Sequence, residues 1–385
     1  MDKIKIITIF GTRPEAIKMA PLVKELEKRE EIDVKVCVTA QHREMLDQVL
    51  ELFSIEPDFD LNIMKTKQSL TGITTRILEG LAEIFEEEKP NMILVHGDTT
   101  TTFAAALAAF YKQIPVGHVE AGLRTYNKYF PFPEEMNRKL TGAIADLHFA
   151  PTIGSKNNLL REGIDDEQII ITGNTVIDAM EYTVEKDYKF SNEVLNELDY
   201  NNKKVIMVTA HRRENWGEGI ENICNALKQI VMENEDVELV YLVHLNPVVK
   251  DVVYKYLEGI NRVHLLPPLD TKETHNLMNK CYLVMTDSGG LQEEAPHLGK
   301  PVLVLRDVTE RPEAVAASTV KLVGTDITII KNCAEELIKD NNKYIEMSKA
   351  INPYGDGKSS YRISEAILKY FNLRKDEIQE FKPSK

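Results

Sequence analysis

The sequence predicts a doubly wound α/β protein made of two Rossmann-like halves. Short β-branched runs alternate with helical patterns from one end of the chain to the other. Each run is near-continuously apolar over about five residues, as strands buried on both faces of a parallel sheet must be. Alternation repeated this often argues for doubly wound sheets. A third observation divides the chain. The rhythm pauses once, over the polar stretch KDYKFSNEVLNELDYNNKK, which lacks a strong strand.

In the first half the strand-like runs are IKIITIF, VKVCVT, MILVHGD, PVGHVE, LHFAP and IIITG. In the second they are KVIMVTA, LVYLVH, VHLLP, YLVMTD, PVLVLR and VKLVG. Between them lie helical segments such as LTGITTRILEGLAEIFEEE and IENICNALKQIVMEN. The expected division is residues 1–185 for the first domain, 186–203 for the linker and 204–350 for the second domain. Residues 351–373 should form a loop and a terminal helix returning to the first domain, and 374–385 a frayed polar tail. Ligands of such sheets bind at the carboxyl ends of the strands, so functional residues should follow strands directly.

Composition narrows the function. The 385 residues are 43% hydrophobic and 28% charged, with a formal net charge of −14. That balance argues against nucleic-acid binding over the whole surface, and any anionic ligand needs a local cationic pocket. No apolar run approaches the ~20 residues that span a bilayer, and no signal-peptide pattern opens the chain. The four cysteines, Cys37, Cys224, Cys281 and Cys333, show no CxxC pairing and read as reduced core residues of a cytoplasmic protein.

Several strand ends carry chemistry. In GTRPEAIK, Gly11 permits a tight turn and Pro14 suits a first helical turn. Arg13 and Lys18 then stand near a helix N-terminus, where anions are favoured. No GxGxxG fingerprint is present, so nothing points to a dinucleotide. In HGDTTTTFAAALAAF, Asp98 either caps the helix or serves the site. HVEAGLRT places Glu120 at a strand end. In FPFPEEMNRKL, Glu135 is expected to support the helix dipole and Glu134 to serve the site. TAHRREN sets His211, Arg212 and Arg213 at the start of the second half as an anion-binding knot. TDSGGLQEEAP is the strongest phosphate signal. Ser288, Gly289 and Gly290 let backbone N–H groups approach an anion, and Glu294 is spaced to accept from a ribose diol. RDVTERPEA adds Arg306 and Arg311. The DFD at residues 58–60 resembles a metal-binding DxD, but it is expected between a helix and a loop, away from the strand ends, and is not read as a metal site.

Taken in order, GTRPEAIKMAPL, TAQHREMLDQVL, HGDTTTTFAAALAAFY, GHVEAGLRT, PFPEEMNR, ITGNTVIDA, TAHRREN, VHLNP, TDSGGLQEEAP, GKPVLVLRD and TERPEAV closely resemble the non-hydrolysing UDP-N-acetylglucosamine 2-epimerases. The resemblance runs over residues 4–370. It implies a GT-B fold, a homodimer, and interconversion of UDP-GlcNAc and UDP-ManNAc without nicotinamide or metal. It implies Arg13, His211, Ser288, Gly289, Gly290, Glu294 and Arg311 for UDP. It implies Lys18, Asp98, Glu120 and Glu134, with His211, around the sugar, and Gln41 and His244 at a second, activating UDP-GlcNAc site. Two departures stand out. Thr274 falls where relatives often carry an aromatic beside uracil, and Tyr126 and Phe130 replace smaller residues. The family's route is elimination of UDP to 2-acetamidoglucal and re-addition. Asp98, Glu120 and Glu134 would then share the proton transfers. The alternatives are a hydrolysing 2-epimerase that releases ManNAc and UDP, a GT-B glycosyltransferase, and a non-catalytic nucleotide-sugar sensor.

Overall fold

In the computed structural model, which describes residues 3–40, 43–64 and 68–383, the chain divides into two compact units. They are Met1–Tyr182 with Tyr354–Lys382, and Thr183–Pro353.

The first unit begins with β1 (Ile4–Phe10), α1 (Arg13–Glu27), β2 (Ile32–Val38), α2 (Arg43–Leu52), β3 (Phe59–Asp60), α3 (Leu70–Glu88) and β4 (Met92–His96). It continues through α4 (Thr100–Tyr111), β5 (Val116–Val119), α5 (Glu134–Ile144), β6 (Leu147–Ala150), α6 (Ile153–Arg161), β7 (Ile169–Ile171) and α7 (Thr175–Thr183). All seven strands are parallel, in the order β3-β2-β1-β4-β5-β6-β7. The continuous apolar runs follow from burial of both faces. Along β1 the pleat sends Ile4, Ile6 and Phe10 into one core and Ile7 and Ile9 into the other.

The second unit carries α8 (Glu193–Glu197), β8 (Lys204–Thr209), α9 (Glu218–Glu233), β9 (Val237–Leu242), α10 (Pro247–Leu257), β10 (Val263–Leu266) and α11 (Thr271–Lys280). After these come β11 (Leu283–Thr286), α12 (Leu291–His297), β12 (Val302–Val304), α13 (Pro312–Ala316), β13 (Val320–Leu322), α14 (Ile327–Lys339) and α15 (Asn341–Ser348). Its six parallel strands run β10-β9-β8-β11-β12-β13. In each sheet the order reverses beside the first strand, between β1 and β4 and between β8 and β11. Those switch points are where ligand loops collect. The chain ends with α16 (Ser359–Tyr370), whose Ile363, Ala366, Ile367 and Leu368 join the core of the first unit.

Three expectations need correction. Residues 186–203 are not a free linker. Phe190 and Leu195 are buried within the second unit, Ser191 N donates to Glu273 (2.7 Å) and Lys280 Nζ donates to Tyr188 O (3.0 Å). The units divide at Tyr182 instead. The tail is not frayed either. Phe381 is buried, its N–H donates to Ile171 O (2.7 Å), and Glu380 accepts from Ile171 N (3.1 Å). The tail thus uses the open edge of β7, whose backbone groups need partners. Finally, Phe59–Asp60 is a short edge strand on β2. Asp58 pairs with Lys35 (2.8 Å) and Asp60 with Arg43, so the DFD carboxylates are engaged as surface ion pairs.

Candidate active site

The turn after β1 needs glycine for space. A Cβ at Gly11 would stand 2.0 Å from Thr39 Oγ1 and 2.8 Å from Thr101 Oγ1. Thr12 then caps α1, with Pro14 in the first turn. Glu15, buried three residues on, reaches back. Its Oε2 accepts from Gly11 N (3.1 Å), Thr12 N (2.8 Å) and Thr12 Oγ1 (2.8 Å). Its Oε1 accepts from Thr99 Oγ1 (2.7 Å) and Thr102 Oγ1 (3.3 Å). One carboxylate therefore ties the turn after β1 to the turn after β4. Burial pushes its pKa up, against the pull of these donors.

At α4 the cap is Thr99, whose Oγ1 accepts from Thr102 N (3.2 Å). Asp98 is thereby released from capping. Its carboxylate pairs with Arg138 (2.5 Å) and its carbonyl accepts from Asn137 Nδ2 (2.9 Å), both on α5. Glu120 follows β5 directly, on the strand next to β4, and has a left-handed backbone (φ 58°). Lys18 Nζ donates to its Oε2, as does Asn174 Nδ2 (3.0 Å), and His96 Nε2 lies 3.4 Å away. Burial opposes ionisation of Glu120. The Lys18 ammonium and His96 outweigh it and hold the carboxyl well below the usual carboxylate range.

Glu134 opens α5, and its buried Oε2 has no hydrogen-bond partner among the described residues. Its neighbour Glu135 stands, as expected, in the first turn of α5, and it does more than favour the dipole. It is fully buried, its oxygens accept from Thr125 N (2.9 Å) and Tyr126 N (2.9 Å), and Arg138 lies 3.5 Å away. Its task is to pin the loop ahead of α5. In that loop Tyr126 and Phe130 are more than half exposed. Tyr126 reaches outward to α6, its hydroxyl donating to Asn158 Oδ1 (2.8 Å). Beneath the site lie two buried histidines paired across β5 and β6. Burial lowers His118 to about 3 and His148 to about 4, so both are neutral near pH 7.

The second unit gathers the anion-binding candidates after β8 and β11. Asp287 Oδ2 accepts from His211 N (2.8 Å), Arg212 N (2.8 Å) and Asn215 Nδ2 (3.0 Å). Burial lowers the pKa of His211; Asp287 opposes this, while His244 and Arg212 add to it. The His211 and His244 rings stack at 5.1 Å. Ser288 N donates to Thr286 Oγ1 (2.9 Å), and Gln292 Nε2 to Ser288 O (3.1 Å). Glycine keeps the loop open beside charged groups. A Cβ at Gly289 would stand 3.9 Å from Arg311 Nη2, and one at Gly290 would stand 3.1 Å from Glu294 Oε1. The buried Glu293 pairs with Arg311 Nε, and His275 Nε2 lies 3.4 Å from Glu294. Arg306 is buried and paired with Glu214 (2.6 Å).

Of the sequence candidates, Arg13, Lys18, Asp98, Glu120 and Glu134 lie beyond β1, β4 and β5 in the first unit. His211, Ser288, Gly289, Gly290, Glu294 and Arg311 lie beyond the strands of the second. His244 joins them through its stack on His211. Gln41 lies outside the described residues. Thr274 sits on α11, its hydroxyl turned to Asp270 O (2.6 Å). Sequence reasoning missed Glu15, His96, Arg138, Asn174 and Asp287. Only Glu15 carried a readable signal, the Thr-x-x-Glu spacing of a capping box.

The profile of the family described as UDP-N-acetylglucosamine 2-epimerase matches residues 24–368. The chain belongs to that family. The UDP-N-acetylglucosamine 2-epimerase of Bacillus subtilis is 58% identical over 381 residues, covering 99% of each chain. A Neisseria meningitidis UDP-GlcNAc 2-epimerase bound to UDP-GlcNAc superposes with a TM-score of 0.86 at 53% identity, over 95% of this chain and all of the other. The S. aureus MnaA co-structure with UDP gives a TM-score of 0.89 at 51% identity, over 98% of this chain and all of the other. The two parallel sheets are thus those of a GT-B epimerase, and UDP-GlcNAc 2-epimerase activity accompanies them.

Proposed function

We propose that this epimerase interconverts UDP-GlcNAc and UDP-ManNAc without hydrolysis, through 2-acetamidoglucal and UDP. The observation that carries the reading is Glu120, held ionised by Lys18 and His96 at a strand end beside the Asp98–Arg138 pair. The hydrogen on the second sugar carbon is not acidic. It becomes removable only as UDP departs and positive charge builds on the ring. An ionised Glu120 is suited to take that proton. Glu134, with a buried oxygen lacking a partner among the described residues, and Asp98, oriented by Arg138, would serve the return step. Departing UDP would be stabilised by Arg13, His211, Arg311 and the Ser288–Gly290 N–H groups. UDP adds back to the first carbon, and a proton delivered to the opposite face of the second completes the inversion.

The same reading makes the chain a cytoplasmic homodimer that supplies ManNAc units for surface polysaccharide, with His244 and Gln41 serving an activating UDP-GlcNAc. Four buried free cysteines suit a reducing compartment. Exposed Phe110, Tyr111 and Leu140, on the neighbouring helices α4 and α5, suit a covered face.

Incubation with UDP-GlcNAc in heavy water, followed by NMR, tests the chemistry. UDP-ManNAc with deuterium at the second carbon is expected. Free ManNAc with UDP would replace this reading by the hydrolysing one, and no turnover without an acceptor would favour a glycosyltransferase.

A further inference from the structure

Asp287 has no exposed surface. Its two oxygens are used very differently. Oδ2 is fully engaged by His211 N, Arg212 N and the Asn215 amide, which also donates to Leu305 O (3.0 Å). Oδ1 is buried and has no hydrogen-bond partner among the described residues, and His211 Nδ1 stands 3.6 Å from it. A buried carboxylate oxygen left unpaired is costly. A small turn of the imidazole would recover that by closing an Nδ1–H bond. Trp216 Nε1 holds His211 O (3.1 Å), and the His244 ring stacks on the imidazole.

We propose that Asp287 is a positioning residue for His211: its Oδ1 fixes the Nδ1–H tautomer, so that Nε2 is the nitrogen presented to the ligand. This rests on the role given to His211 above. The state of one imidazole nitrogen is set by the hydrogen bond the other makes. Asp287 does a second thing through the same contact. Among the groups facing the ring, His244 and Arg212 disfavour an imidazolium, whereas Asp287 favours it. Burial and these two hold the imidazole below its ordinary value, and Asp287 is the group that limits the fall.

The test uses the intact enzyme. At alkaline pH, nitrogen-15 spectra of the His211 imidazole, assigned with His211→Asn, are expected to show Nδ1–H; finding Nε2–H overturns the proposal. Asp287→Asn should lower kcat about 10- to 100-fold and change KM for UDP-GlcNAc by less than about threefold. It should also move the high-pH limb of kcat to lower pH. In the His211→Asn background the same substitution should cost nothing more. An equal loss in both backgrounds would mean that Asp287 acts only on the loop backbone, against the proposal. Undiminished turnover in His211→Asn alone would instead remove the role assigned to His211, and the proposal with it.

Discussion

In the first unit Glu120 is held by Lys18 and Asn174, and Asp98 by Arg138. In the second, Asp287 backs His211, Glu293 holds Arg311 and Glu294 faces His275. Both sets stand at the carboxyl ends of parallel strands beside a switch point, yet the roles of the two charge signs are exchanged. Cations brace carboxylates in one unit, and carboxylates brace basic side chains in the other. A shared topology therefore settles where ligand groups gather, while the buried partner decides which charge is left to act. Under the proposed function, proton transfer would draw on the first arrangement and holding a diphosphate on the second.

Substitutions can break this contrast. The largest effect is expected in the first unit. Glu120→Gln should lower kcat by about 10²- to 10⁴-fold and change KM by less than about tenfold, measured by UDP-ManNAc formation; a mainly KM effect would erase the distinction between the units. In the second unit, Arg311→Lys keeps a charge for Glu293 but loses the planar fork, so KM should rise about tenfold with kcat nearly kept. A third test concerns stability. His118 and His148 are folded neutral with pKa values of about 3 and about 4 against an ordinary 6.5. Below pH 6.5 the unfolded chain takes up protons that the folded chain refuses. Stability is thus fully present above about pH 6.5 and falls as pH drops towards 4, by up to about 1.4 kcal/mol per pH unit for each histidine. Melting curves of His148→Gln between pH 7 and 5 should show a shallower slope than the native chain. The smallest effect belongs to Tyr126→Phe, which removes the bond to Asn158. About 1 kcal/mol of stability should be lost and turnover kept, unless the loop closes over substrate.

Much of this was legible in the sequence. Apolar runs marked the strands because both faces of each sheet are buried. The edge strand Phe59–Asp60 was missed because two residues give no periodicity. Motif spacing located the candidate acids and the Ser288–Gly290 loop. What stayed hidden were partners distant along the chain, since Asn174 and Arg138 reach the site only after the sheet has brought their helices near. The competition for the α4 cap was also unreadable. Asp98 and Thr99 are both good caps, and the choice follows from Arg138 and Glu15, 40 and 84 residues away. The second task of Glu135 was hidden for a related reason. An acid in a first helical turn suits the dipole equally well whether exposed or, as here, turned inward to a loop.

Glu120 has one further consequence. Its backbone is left-handed, a conformation that costs a residue with a Cβ about 1–2 kcal/mol and is most tolerable for Gly, Asn and Asp. The chain thus keeps at this point a side chain that its own backbone disfavours, with the reach to meet Lys18. Shortening it to Asn or Asp should relax the turn while losing that reach. A variant that melts higher and turns over less would measure, at one residue, how far durability has been yielded to catalysis.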